Sequence, residues 1–363
     1  MRRLVLLLGM AASGFSAHGA QRVSVQQLEQ QLAQQQIAHA TDDEVARQLS
    51  SMELTERLTE SRVSQLDAAF TPGSKTLAAL ELLADLSALL QPPAGELPRK
   101  DPPNTVEQQK IFDAAGNFAN VALKHMPDFL ATRTTKSFED VPVITSDSAF
   151  QSGLHSMGTF VRETAYRDGR EVAENKPEAA DAQTSPLDIR TGLTSIGEFG
   201  EDLGIIVTDS VKGKISWSHW EQTSAGLLAV FHYEVPKHAS HFRIYFCCAW
   251  DSAANRDISY QGMPAYQGFL SISPSNGAIL RATLEVEFDS FHPAPHYGVA
   301  VEYAQVDTDG HSSTLPTRSV AIGDSTTRAE KRFWVNLFIN DVSFTDYHRF
   351  GSTVRILSNP PTR

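Results

Sequence analysis

The spacing of apolar residues changes along this chain, from a helical period before about residue 126 to a two-residue period after it. In the first part, apolar residues recur every three or four positions, which predicts amphipathic helices. Thr41, followed by Glu44 three residues later, is a capping box and predicts a helix start. Pro72 and the pair Pro92-Pro93 predict helix ends. The predicted helices run over about 25–36, 41–52, 54–70, 74–90 and 104–123.

After Pro127 the pattern alternates, which predicts strands. In residues 279–288, one face carries Leu280, Ala282, Leu284, Val286 and Phe288. The other face carries Arg281, Thr283, Glu285 and Glu287, and we interpret it as solvated, as in an antiparallel sheet with one wet face. Similar runs occur near 157–166, 214–220, 227–235, 266–273, 315–322 and 333–342.

These patterns predict an α+β fold, in which an N-terminal helical region precedes a large curved, mostly antiparallel sheet with packed helices. About nine to eleven strands are expected, separated by turns such as 275–277 and 307–310. The predicted divisions are a signal peptide, a helical region, a proline-rich linker, a helix-plus-sheet domain and a tail. Their bounds are 1–20, 21–90, 91–103, 104–355 and 356–363.

The first twenty residues have the composition of a secretory signal peptide. Arg2 and Arg3 are followed by an apolar stretch and then by small residues around Gly19 and Ala20. This apolar stretch is too short for a membrane span, and no later stretch is long enough. We therefore predict export to the periplasm or the cell exterior, with no transmembrane span.

Two segments interrupt the strand pattern. Residues 174–186 are rich in Ala, Glu, Asp and Pro and are expected to form a surface loop. A short helix is expected over about 196–210. Its acidic residues Glu198, Glu201 and Asp202 are interpreted as a solvated first turn, where the helix dipole favours negative charge.

Charge and cysteine content restrict the partners. The chain has 363 residues and a formal net charge of −12. An acidic protein repels phosphate backbones, so nucleic acid is not an expected partner. The two cysteines, Cys247 and Cys248, are adjacent on a predicted strand and are interpreted as unpaired, because neighbouring strand side chains point to opposite faces.

The sequence has no recognisable catalytic or metal-binding motif. Ser195 lies in a G-x-x-S-x-G run, which is not the G-x-S-x-G of a hydrolase elbow. The histidine pairs 238/241 and 292/296 lack zinc-site spacing, and Asp307 to Gly310 lacks the rest of a calcium loop. No catalytic, metal or cofactor-binding residue is predicted.

Aromatic residues give the strongest indication of a binding site. They concentrate in three successive predicted strands, where most are expected to pack the core. A large sheet can also leave some of them lining an apolar pocket. The predicted pocket residues are Trp217, Phe231, Tyr233, Phe242, Phe246 and Trp250.

One hairpin carries a resemblance to known proteins. Residues 266–281 read YQGFLSISPSNGAILR, a pattern similar to a hairpin in uncharacterised exported bacterial proteins. Residues 127–355 also resemble the lipoprotein-carrier superfamily, with its LolA-like and LppX-like folds. In that superfamily a curved antiparallel sheet wraps helices and holds acyl chains in an apolar cleft. The resemblance implies an exported, non-enzymatic protein that binds or carries a lipid or other hydrophobic small molecule in the cell envelope.

Two other functions remain open at this point. The glutamine-rich stripes of residues 25–70 suggest a structural or interaction role with another envelope protein. An exported hydrolase would have to use Glu198, Glu201, His219 or His232 in a site without a known motif.

Overall fold

A computed structural model describes most of the chain after residue 20. The described residues are 21–124, 126, 128–140, 143–144, 150–151, 153–167, 170–172, 193, 197–288, 295–308, 310–329 and 332–349. The predicted signal peptide, the predicted 174–186 loop and the predicted 356–363 tail lie outside these residues.

The helices are α1 (Val25–Ile37), α2 (Asp42–Leu49), α3 (Glu60–Phe70), α4 (Ser74–Leu86), α5 (Thr105–Lys124) and α6 (Glu201–Ser210). The first strands are β1 (Gln21–Val23), β2 (Met52–Leu54), β3 (Phe129–Glu139), β4 (Val143–Ile144), β5 (Phe150–Gln151), β6 (His155–Arg167), β7 (Arg170–Val172) and β8 (Lys214–Thr223). The remaining strands are β9 (Gly226–Val235), β10 (Ile244–Asp251), β11 (Arg256–Gly262), β12 (Ala265–Ile272), β13 (Ile279–Glu287), β14 (Tyr297–Thr308), β15 (His311–Ala329) and β16 (Arg332–Arg349). No helix in the described residues is both long and apolar enough to cross a bilayer.

Residues 21–90 form a helical unit with an apolar core of its own. This core is built from residues between Val23 and Ala84, including Leu28, Leu49 and Leu80. Capping boxes begin α1 at Ser24 and α2 at Thr41. In each, the hydroxyl of the cap residue accepts a hydrogen bond from the third helical N–H, and the side chain at that third position accepts one from the N–H of the cap residue. The apolar stripes of these helices therefore pack inside the unit.

The structure corrects three helix boundaries in this unit, one of which is the end of the helix predicted over 74–90, at Leu86. The sequence pattern continues the α2 stripe through Met52, but α2 ends at Leu49 and Met52 begins β2. This strand pairs in parallel with β1, so that Met52 lies opposite Gln21. The helix predicted over 54–70 consequently starts only at Glu60.

A ten-stranded sheet forms the rest of the scaffold, in the order β7-β6-β3-β16-β15-β14-β13-β12-β9-β8. Each neighbouring pair in this sheet is antiparallel. The predicted turn at 275–277 lies between β12 and β13, and between β14 and β15 the Gly310 N–H donates a hydrogen bond to Asp307 at 3.0 Å. The predicted α+β fold with a large antiparallel sheet is therefore confirmed.

The two faces of this sheet are covered by different elements. One face, here called the inner face, packs on α5 and α6 through a cluster that includes Phe231, Leu270 and Leu284. The opposite, outer face packs on Ala88 and Leu89 of the helical unit. The sheet therefore lies between two layers of helices.

This arrangement corrects the expectation that one face of β13 is solvated along its whole length. Thr283 is 1% exposed and its Oγ1 accepts a hydrogen bond from the Phe269 N–H, and the guanidinium of Arg281 donates a hydrogen bond to the carbonyl of Ala88 in the helical unit. Glu285 is partly exposed and Glu287 is exposed, so this face meets water only toward the end of β13. The alternation of polar and apolar residues predicts two chemically different faces, but it does not predict how much of each face is exposed.

A hairpin of β10 and β11 leaves the sheet between β9 and β12 and contacts β15. Ile244, at its start, packs against the inner-face cluster. Cys247 and Cys248 lie in β10, but their side chains are outside the part of the chain that the structure describes.

Candidate functional site

The inner face holds the largest cluster of buried apolar side chains among the described residues. Its cluster takes side chains from six neighbouring strands, β8, β9, β12, β13, β14 and β15, together with α5 and α6. Representative members from the strands are Trp220, Phe231, Leu270, Leu284, Val301 and Ala321. This face is the candidate functional site.

The six residues predicted to line a pocket occupy different parts of this region. Trp217 and Phe231 stack edge-to-face with ring centroids 5.5 Å apart, and Phe112 of α5 lies 6.2 Å from Phe231. Tyr233 and Phe242 instead pack around Tyr266, 5.9 and 5.8 Å from its ring. The structure therefore places these four aromatic residues in or against the inner-face cluster.

The last two predicted pocket residues lie in the β10–β11 hairpin. Phe246 stacks on Tyr260 at 5.6 Å and meets Phe288 edge-on at 5.2 Å. Trp250 is 8% exposed. Phe246 thus belongs to a second aromatic group, beside the first one and formed largely by the hairpin.

A short turn inserts two further side chains into the inner face. Its sequence is Gly197-Glu198-Phe199-Gly200, and both glycines have positive φ, +106° and +153°. Phe199 is 1% exposed and lies among four aromatic rings supplied by β3, β6 and β16. The rings are Phe344, Phe129, Tyr166 and Tyr347, with centroids 4.9, 5.3, 6.4 and 6.4 Å from that of Phe199.

The other side chain of the turn, Glu198, is fully buried and pairs with Arg133 of β3 at 3.0 Å. The same guanidinium pairs with Glu171 of β7 at 3.1 Å and lies 5.5 Å from the ring centre of Phe344. Burial, reinforced by the charge of Glu198, raises the pKa of Glu171 to about 7. Two carboxylates thus share one arginine beside the aromatic residues.

These positions correct the solvated-helix interpretation of residues 196–210. The helix begins at Glu201, and only Glu201 of the three acidic residues is exposed. Asp202 is buried, and both burial and the charge of Glu198 raise its pKa. The glycines at 197 and 200 form a turn here, which directs Glu198 into the sheet.

A third polar group connects α6 to the sheet. The fully buried carboxylate of Asp209 lies 2.5 Å from Nδ1 of His241 and accepts hydrogen bonds from Tyr266 Oη and from the His241 backbone N–H. Because Asp209 lies at the C-terminal end of α6, where negative charge is unfavourable, these donors compensate its burial. The group fixes α6 to β12 and to the loop before β10.

The remaining hydrolase candidates are not brought together with Glu198. His219 contacts Ser218 and lies 3.9 Å from Glu221, which pairs with Arg57 of the helical unit. His232 stacks on Phe269 with centroids 4.9 Å apart. Strand alternation places His219 and His232 on the outer face, whereas Glu198 lies on the inner one.

Sequence reasoning missed the most polar part of the site, formed by Arg133, Glu171 and the aromatic residues around Phe199. Arg133 and Glu171 lie on strands that are far apart in sequence from the turn that they contact. The one local signal was the Gly-Glu-Phe-Gly sequence, which contains two glycines suited to positive φ.

Comparisons with known proteins give little further information. No family model matches the chain, and no curated protein matches it. Among solved structures, a Pseudomonas aeruginosa MucA/MucB complex is similar over 63% of this chain and 93% of its own, with 12% identity and a TM-score of 0.15. A second structure, MucB in complex with MucA(peri), is similar over 66% and 94%, with 10% identity and a TM-score of 0.15.

Proposed function

We propose that this chain is an exported, non-enzymatic binding protein that holds a hydrophobic ligand between the inner face of its sheet and the elements packed on that face. The observation that carries this proposal is the inner-face apolar cluster, which is continuous across six strands. A cavity that opened within this cluster would be lined by apolar and aromatic side chains, as is typical of sites for apolar ligands.

The elements that cover the inner face support the same proposal. Helix α6 and the 197–200 turn lie on the inner face, and the β10–β11 hairpin contacts the inner-face cluster through Ile244, without any of them being a strand of the main sheet. Their apolar contacts belong to the clusters around Phe231 and Phe199. Apolar contacts are non-directional, so an apolar ligand supplies an equivalent environment when it replaces one of these elements.

The predicted leader places this binding role in the cell envelope or outside the cell. A role for the N-terminal helices in protein interaction is less favoured, because their apolar residues Leu28, Leu32 and Leu49 are buried in the core of the helical unit. The hydrolase alternative is also less favoured, since Glu198 is fully buried and salt-bridged.

Native mass spectrometry on the mature protein, purified from its exported fraction, tests the proposed function. We expect an additional mass that disappears on denaturation and that lipid extraction identifies as a hydrophobic molecule. As a complement, two probes should raise the melting temperature of protein freed of ligand. They are dodecanoate below its critical micelle concentration and dodecanol below its solubility limit. A bare mass, together with no shift for either probe, would overturn the proposal.

A further inference from the structure

The 197–200 turn fills a space whose walls belong to other elements, in the way that a ligand would. We propose that Glu198 and Phe199 fill a ligand subsite and that its ligand is an amphiphilic carboxylate. The ligand's carboxylate replaces that of Glu198 on Arg133, and its apolar group replaces the Phe199 ring. This inference rests on the proposed function and specifies the chemistry of the ligand.

The shape of the subsite supports an apolar group of at least phenyl size. The four rings around Phe199 come from three strands, and three of them meet it edge-to-face at interplanar angles of 64°, 65° and 84°. Phe129 also stacks on Tyr166 with centroids 5.3 Å apart, so these walls support one another. Strands and their mutual packing therefore hold the walls in place without help from Phe199.

The charges of the subsite specify the polar end of the ligand. Arg133 has a side chain only 12% exposed, on the same face as the aromatic walls. A buried guanidinium requires an anionic partner, and a carboxylate matches its geometry. Glu198 and Glu171 both approach this one group, and Asp202 adds a third buried carboxyl group nearby. When the turn withdraws, the carboxylate of the ligand replaces that of Glu198 beside Arg133, so the net charge around the guanidinium is unchanged.

The backbone of the turn is suited to leaving the subsite. Its positive-φ glycines stand immediately before Glu198 and immediately after Phe199. The bonds from Tyr303 Oη to the Glu198 carbonyl and from Ser319 Oγ to the Glu198 carboxylate are long, at 3.4 and 3.5 Å. The turn is held more closely at its start, where the Gly197 N–H donates to Glu171 at 2.9 Å, and at the Glu198–Arg133 pair. Glycine permits the backbone rotations that such a movement requires.

The test compares binding of dodecanoate with binding of dodecanol, which has the same chain and no charge. The Phe199→Ala substitution empties the space between the four aromatic rings. We therefore expect dodecanoate to bind about tenfold more tightly to this variant than to the wild type. Phe231→Ala is the matched control, because it makes the same truncation on the inner face within the six-strand cluster. It should not increase the preference for dodecanoate over dodecanol.

A second variant tests whether Arg133 causes the preference for a carboxylate. Adding Arg133→Gln to Phe199→Ala should remove the preference for dodecanoate while leaving dodecanol binding in place. An unchanged preference would overturn the role of Arg133. Equal gains for Phe199→Ala and Phe231→Ala would show that any inner-face cavity suffices, which would also overturn the subsite.

The wild-type protein gives a readout that does not depend on these variants folding. Hydrogen exchange should accelerate at the amides of residues 197–203 when dodecanoate binds, and not when dodecanol binds. Stabilisation by dodecanoate without faster exchange there would overturn this inference and leave the proposed function standing. Failure of both probes to bind wild-type protein would count against the proposed function itself.

Discussion

The two faces of the sheet are covered in chemically different ways. On the outer face, Arg318 alone donates hydrogen bonds to Asp85 and Glu60 of the helical unit and to Asp341 of the neighbouring strand, at 2.5, 2.7 and 2.9 Å. On the inner face, α6 and the 197–200 turn combine apolar and aromatic contacts with two buried carboxylates, Glu198 on Arg133 and Asp209 on Tyr266 and His241.

This difference shows which cover is suited to exchange. Removing a buried charged partner leaves the other charge unpaired, at a cost of about 3–5 kcal/mol, so the outer cover resists separation. An apolar ligand can take over the apolar contacts without such a cost, and a ligand carboxylate can take the place of Glu198 on Arg133. The outer face therefore acts as a fixed support, and the inner face is the side where binding is expected.

The largest effect should come from breaking the outer cover. We expect Arg318→Ala to lower the free energy of unfolding by about 3 kcal/mol, because it leaves the 3%-exposed Asp85 without its guanidinium. Urea denaturation measures this effect. Lys75→Ala is the control, since the Lys75–Asp43 pair is more than 60% exposed on both sides and should contribute less than about 1 kcal/mol. Equal effects of the two substitutions would contradict a fixed outer cover.

Glu171 on the inner face should add a pH-dependent contribution to stability. Because burial raises the pKa of Glu171 from 4.5 to about 7, the folded protein retains a proton that the unfolded chain releases above pH 4.5. This contribution should fall as pH rises from about 4.5 through 7 and level off above, by about 3 kcal/mol in all. Burial also raises the pKa of Asp85 on the outer face, to about 8, so Asp85 adds a slope of the same sign.

Urea unfolding at several pH values between 5 and 8 checks this slope. Glu171→Gln should flatten it, whereas Glu53→Gln, on a partly exposed pair with Arg22, should not. If the Glu171 variant keeps the wild-type slope, the inner carboxylates are not the source of the pH dependence.

A smaller effect is expected at the polar contact that fixes α6. Tyr266→Phe removes the hydroxyl that donates to the buried Asp209 carboxylate at 2.9 Å. We expect a loss of about 1.5 kcal/mol, as for a hydrogen bond to a charged group. Thermal unfolding of this variant beside Tyr245→Phe, whose side chain is exposed, provides the comparison. Identical melting temperatures would show that the Tyr266 hydroxyl does not contribute to holding α6.

The smallest effect should remain inside the helical unit. Thr41→Ala removes the α2 capping box and should destabilise the protein by about 1 kcal/mol. Gln30→Ala, on the exposed side of α1, serves as the control and should be close to neutral. Dodecanoate binding should be unchanged in both variants, and a loss of binding in Thr41→Ala would mean that the helical unit takes part in the site.

The fold class could be predicted because it depends on local periodicity. The helical period before residue 126 and the alternation after it were both found in the structure. Boundaries were predicted less well where pairing between distant segments decides them. Met52 fits the helical stripe of α2, but pairing of β2 with β1 places it in a strand.

The site could be predicted only where it is built from consecutive strands. Trp217, Phe231 and Tyr233 follow one another on β8 and β9, so their shared face is visible in the sequence. Arg133 and Glu198 are separated by 65 positions and meet only after the sheet has formed. Their pairing follows from strand order, which periodicity does not encode.

The sequence by itself determined the alternation of polar and apolar side chains, the helix caps and the turns, because each depends on residues within a few positions of one another. Only the tertiary structure decided what each face meets. The Arg281 side chain is only 11% exposed because it reaches Ala88 of the helical unit, and Glu198 is buried because its turn reaches Arg133. A buried charged side chain needs a polar partner, and for Arg281 and Glu198 that partner is a residue distant in sequence.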